Sequence, residues 1–220
     1  MVVDPGHNGG NASHPAEINR PVVAYADGRT KACDTTGTAT NDGSLSESAL
    51  NLAVARQLAT DLRVQGFRTR LTHTTNSGVG PCIDQRARIG NRLHADAAVS
   101  IHADGNINPA ARGFDVIRPS PANMVAPKVA RPSARLALAI RNALLGAGQT
   151  PANYVGSHGL DERGDLGGLN LSTVPKVFLE LGNMRSPRDA ALMESGAWRR
   201  RVADGLARGV ERFLGRGRAR

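Results

Sequence analysis

The sequence predicts an α/β domain built on a mostly parallel sheet. Three observations point to it. Strand-like runs alternate along the chain with helical segments of ten or more residues. The 220 residues are enough for one domain with a sizeable core. No internal repeat or linker divides them.

The elements follow in order. Val2 and Val3 lead into a sharp Asp4-Pro5-Gly6-His7 turn, which reads as the end of a first strand and suggests residues upstream of Met1. Residues 8–44 are rich in Gly, Asn, Thr, Ser and Asp and predict a long loop, with a short hairpin around 22–31. A helix is expected over 46–65, with Leu50, Val54, Leu58 and Leu62 on one face and Gly66 as its stop. Residues 67–72 alternate as a strand, 84–93 read as a helix and 97–102 as a buried strand. A further strand is expected over 113–117 and a helix over 132–145, opened by Pro132 and closed by Gly146. Residues 177–181 form a short apolar strand. Trp198, Val202, Leu206, Val210 and Phe213 mark a last amphipathic helix, whose other face carries Arg199, Arg200, Arg208 and Arg212. The basic tail 215–220 is expected to be disordered.

Composition narrows the function classes. The net charge is +9, which favours anionic partners such as nucleic acid, anionic lipid or acidic wall polymer. Only Lys31, Lys128 and Lys176 are lysines, so the excess of Arg also fits a GC-rich coding bias. Aromatic residues make up 3%, which argues against base stacking on aromatic platforms. No apolar run approaches the ~18 residues needed to span a bilayer. Cys33 and Cys82 lie in two loop-like stretches. A bridge closing about 50 residues would be worth roughly 4 kcal/mol in the chain-entropy picture. Spacing alone leaves two free thiols as an equal alternative.

Four side chains carry the chemistry. His7 sits at a strand end behind a Pro-Gly turn, where an imidazole can ligate a metal or hydrogen-bond locally. His102 ends the most apolar strand, as a ligand or as a satisfied core histidine. Glu47 shares the apolar face of its helix, and a carboxylate there must be paired, protonated or bound to a cation. The run Ser44-Leu45-Ser46-Glu47 equally fits a capping box, with Ser44 as the cap. Glu180 interrupts an apolar strand just before Gly182, at a sheet end facing a cleft or on an exposed edge. Open α/β sheets gather working residues beyond the carboxyl ends of their strands. Two imidazoles and a carboxylate are a set that holds catalytic zinc, leaving a position for water. A second carboxylate can then move the proton. No short H-E-x-x-H run is present.

Asp4-Pro5-Gly6-His7, Glu47 opening a long helix, Ser100-Ile101-His102-Ala103-Asp104 and Leu179-Glu180-Leu181-Gly182-Asn183 resemble, in this order, the four motifs of the zinc-dependent N-acetylmuramoyl-L-alanine amidases, type 3. Segments 86–96 and 166–175 resemble the family's stretches before the histidine and glutamate strands. Asn8 departs from the usual second glycine of the first motif, and the 11–44 loop is longer than the family minimum, as in compact secreted amidases of mycobacterial type. The resemblance implies a six-stranded sheet flanked by helices in one catalytic domain over 1–214. It implies one Zn2+ on His7, Glu47 and His102, with Glu180 as catalytic glutamate. It implies cleavage of the amide between N-acetylmuramic acid and L-alanine in peptidoglycan or a muropeptide. Export to periplasm or wall follows, and favours a Cys33–Cys82 bridge. The expected state is a monomer without nucleic acid or membrane span. Asn170, Asn183 and His158 are secondary candidates for substrate contact, and His14, His73 and His94 match no ligand position. The competing readings are a wall-binding protein of this fold without turnover and a nucleic-acid binder attracted by charge alone.

Overall fold

The computed structural model describes residues 1–215; residues 216–220, where most of the expected disordered tail falls, lie outside the described residues. The sheet is formed by β1 (Val2–Pro5), β4 (Arg70–Leu71), β5 (Ala98–Asp104), β6 (Asp115–Pro119), β7 (Leu160–Arg163) and β8 (Lys176–Asn183), in the order β4-β1-β5-β8-β6-β7. All neighbouring pairs are parallel except β6 with β8. The expected hairpin in the long loop is β2 (Pro21–Val23) against β3 (Thr30–Ala32).

Helices cover both faces: α1 (Pro15–Ile18), α2 (Glu47–Val64), α3 (Ile83–Arg92), α4 (Ala130–Gly146), α5 (Gly167–Asn170), α6 (Pro187–Glu194) and α7 (Gly196–Leu214). Alternation along the strands decides what each face holds. Val99, Ile101, Val177 and Leu179 point into the main core with Leu50, Val54, Leu58 and Leu62 of α2 and with Leu136, Ile140, Trp198, Val202, Leu206 and Val210 of α4 and α7. Each such side chain contributes about 1.5–3 kcal/mol on full burial. On the other face, under α3 and α5, the same strands carry the polar residues Ser100, His102, Lys176 and Glu180. The apolar stripes thus dedicate one face to stability and leave the other for chemistry.

Several elements differ from expectation for identifiable reasons. The strand expected over 113–117 begins at Asp115. Gly113 turns there with φ 95°, and a Cβ on it would lie 2.4 Å from the Pro151 carbonyl oxygen. β4 pairs with β1 through only two residues, because the Phe67 amide closes the end of α2 on the Leu62 carbonyl. α4 starts at Ala130, placing Pro132 in the first turn, where a missing N–H leaves no bond unmade. β7 reads Leu-Asp-Glu-Arg, a charged composition that only an edge strand tolerates. α6 opens on Ser186-Pro187, a start signal that carried no apolar period with it.

Cys33 and Cys82 are bonded across 49 residues of sequence. The bridge ties the long loop to the start of α3. Reduction, or Cys33→Ser with Cys82→Ser, should therefore cost about 4 kcal/mol of unfolding free energy. Urea denaturation of the oxidised and reduced chains reads this directly, and coincident midpoints would contradict it.

Candidate metal centre

β1 and β5 are neighbours, so the turn after β1 places His7 beside His102. The approach is close: a Cβ on Gly6 would fall 2.1 Å from the His102 ring, so only glycine fits there. His7 itself takes a left-handed φ of 58°, uncommon for a non-glycine residue. That strained turn is held by the Gly6 amide donating to Ile101 O at 2.8 Å and by Arg86 donating to His7 O at 3.1 Å.

α2 supplies the third group. Ser46 caps the helix by accepting from the Ala49 amide, so Glu47 is its first residue and the Ser44 capping box is not formed. Ser44 instead bonds Asp42 and Glu194. The Glu47 carboxylate is buried at a helix N-terminus, where the aligned peptide dipoles favour an anion. Its Oε1 lies 3.3 Å from His7 Nε2 and 3.0 Å from His102 Nδ1. Oε2 accepts from the Thr38 amide at 2.9 Å. One ligand atom from each of His7, Glu47 and His102 lies within 4.8 Å of the others, and the cluster could hold a metal ion. Donors on bonds of about 2.0–2.2 Å around a tetrahedral cation would stand roughly 3.3–3.6 Å apart, close to the 3.3 and 3.0 Å between Glu47 Oε1 and the two imidazoles. The imidazole and carboxylate chemistry fits zinc.

Electrostatics follow from the packing. Burial opposes ionisation of Glu47, but His7 and His102 outweigh it and hold the carboxyl well below its usual range. Burial alone would lower the His7 pKa; Glu47 and Asp34 overcome it and push the imidazole up to about 10. Burial dominates at His102 and lowers its pKa. Phe178 stacks on that ring at 4.0 Å and shields it.

Glu180 lies on β8 directly beside His102 in the register of β5, on the same face. It is on a central strand, not an edge. Its Oε2 is shielded from solvent and has no hydrogen-bond partner among the described residues. Burial, then Glu47 and Asp104, raise its pKa well above the ordinary carboxyl value. Glu180, His7, Glu47 and His102 all line one open cavity of about 410 Å³, rimmed by Lys31 of the hairpin and by Asp104. Asp104 accepts from the Tyr154 hydroxyl at 2.7 Å. Asp115 faces Glu180 across β6 and β8, and burial with Asp161 raises its pKa to about 7.

The other candidates stand apart from this cluster. Asn170 is fully buried, its amide nitrogen donating to the Ala24 and Gly164 carbonyls. Asn183 is fully buried too, donating to Asn106 O and Ala111 O. Their amide nitrogens are spent on these carbonyls, and neither residue lines the cavity. His158 sits exposed in a left-handed turn, His73 bridges Pro5 O and Thr75 O, and His14 bonds Gly10 O. Two residues escaped the sequence reading. Asp34 and Arg86 are buried behind His7, yet Asp34 lies in an aperiodic polar loop and Arg86 in a short polar helix. Only the neighbouring cysteines mark the place where these segments meet.

Known proteins resemble this chain over nearly its whole length. Residues 1–212 match the family profile described as N-acetylmuramoyl-L-alanine amidase. The chain is 42% identical over 219 residues to N-acetylmuramoyl-L-alanine amidase Rv3717 of Mycobacterium tuberculosis, covering 97% of this chain and 86% of that protein. The crystal structure of the amidase Ami1 from Mycobacterium smegmatis superposes with a TM-score of 0.91 at 40% identity, over 98% of this chain and 96% of that one. Apo Ami1 from Mycobacterium abscessus gives 0.90 at 41% identity, over 97% of each chain.

Proposed function

The chain belongs to the N-acetylmuramoyl-L-alanine amidase family, and on that premise we propose that it is a zinc hydrolase cutting the amide between N-acetylmuramic acid and L-alanine in peptidoglycan. The observation that carries the zinc reading is the convergence of two imidazole nitrogens on one oxygen of a buried, ionised Glu47. His7, Glu47 and His102 would hold the ion, in one chain and without help from a second copy, so a monomer suffices.

Zinc, when bound, polarises the scissile carbonyl and makes water more acidic. The remaining work falls to the protein. Glu180 stands beside His102 with a free carboxylate oxygen, placed to take the proton of the attacking water. Delivering that proton to the departing L-alanine nitrogen completes the cleavage and restores the carboxylate. Phe178 covers one face of the His102 ring. Export to the cell wall suits the substrate, and the Cys33–Cys82 bridge suits an oxidising compartment. No helix among the described residues is long and apolar enough to cross a membrane.

The test is digestion of purified muropeptides with the zinc-loaded protein, followed by mass spectrometry. Free stem peptide beginning with L-alanine and an intact glycan are expected. Zinc-loaded protein that binds muropeptides but releases no peptide would leave only the wall-binding reading.

A further inference from the structure

Asp34 comes from the long loop rather than from the sheet, yet its carboxylate ends on the metal cluster. Its Oδ1 is 2.8 Å from His7 Nδ1, on the side of the ring away from Glu47. The Thr35 carbonyl oxygen stands 3.1 Å from the same nitrogen. A carboxylate and a carbonyl can only accept, so Nδ1 must carry the hydrogen. That leaves Nε2, which faces Glu47 Oε1 at 3.3 Å, as the coordinating nitrogen.

We propose that Asp34 is a positioning residue of the metal centre, fixing the tautomer and the tilt of His7 so that Nε2 is presented to the cation. This rests on the reading of His7, Glu47 and His102 as the ligand set. Asp34 is itself held rigidly. Oδ1 also accepts from the Thr35 amide at 2.8 Å, and Oδ2 from Arg86 at 3.1 Å. Arg86 is 5% exposed and grips Asp4 at 2.9 Å, Pro5 O at 2.6 Å and Pro81 O at 2.7 Å. The disulfide lies against both partners: Cys33 precedes Asp34, and Cys82 caps the helix that carries Arg86. The long loop therefore reaches the metal centre through the Asp34 carboxylate, the Thr35 carbonyl and the Thr38 amide, and the carboxylate is locked from behind by a buried guanidinium. Such outer carboxylates orient a ligating imidazole and raise its basicity, and losing one commonly weakens metal binding 10–100-fold.

The experiment is zinc affinity, measured by competition with a chromophoric chelator, for the wild type, Asp34→Ala, Asp34→Asn and Glu47→Ala. Asp34→Ala should bind about 10–100-fold more weakly. Asp34→Asn keeps the shape and one accepting oxygen, so it should fall between Asp34→Ala and the wild type. Should the alanine variant fail to fold by circular dichroism, the asparagine variant carries the test through its reduced zinc affinity and through an upfield shift of the His7 Nδ1–H proton in zinc-loaded protein, as expected for a weaker, neutral acceptor. Wild-type zinc affinity in Asp34→Ala, or wild-type affinity together with an unchanged His7 Nδ1–H shift in Asp34→Asn, would overturn the proposal. If Glu47→Ala also binds zinc normally, the ligand set fails instead, and the two failures are told apart.

Discussion

Glu180→Ala should lower the turnover number on muropeptides by roughly two to four orders of magnitude, the usual worth of a positioned general base, while zinc stays bound. Two features of the site set this expectation. The carboxylate is beside His102 but outside the His7, Glu47 and His102 cluster proposed to hold the ion. Its Oε2 is buried and takes no hydrogen bond among the described residues, so it is free to accept a proton. Glu180→Gln should fall as far, because the amide keeps the shape and loses the basic oxygen. Stem-peptide release by chromatography, paired with metal content of the same sample, checks both halves. A variant that loses zinc along with activity would instead make Glu180 a ligand.

Glu47→Ala should have the other large effect, and it should act on the metal first. Both imidazoles face the one oxygen this substitution removes, at 3.3 and 3.0 Å. The Thr38 and Ala103 amides would lose their carboxylate acceptor as well. Loss of an outer-shell partner alone costs 10–100-fold in metal affinity, so loss of the anionic ligand should exceed about a hundredfold. Activity should vanish at ordinary zinc concentrations. Equilibrium dialysis with zinc checks the first statement, and undiminished zinc content after dialysis would refute it. Asp34→Ala, acting only through His7, should be milder.

Much of this was legible in the chain itself. The periodic stripe of α2 and the apolar runs of β5 and β8 report burial directly, and burial is what fixes the layers. The four chemical groups stood out because each broke an apolar pattern or ended one. The helix pattern alone left Glu47 open, since a capping box and a ligand demand the same residue at a helix start, and only the resemblance to the amidase motifs assigned it. Only the backbone shows that Ser46, not Ser44, is the cap. Asp34 was invisible for a deeper reason. Its environment is made by Arg86 and His7, residues distant in sequence, and no local period marks a loop residue that becomes buried through a disulfide. β7 was lost because charged edge strands obey pairing rather than hydrophobic alternation.

Crystals of zinc-loaded protein, measured on both sides of the zinc absorption edge, address the ligand set most directly. A single anomalous peak within bonding distance of His7, Glu47 and His102, with Glu180 near it but outside its coordination shell, is the predicted result. A peak at some other place, or one ligated by Glu180 in place of Glu47, would contradict it.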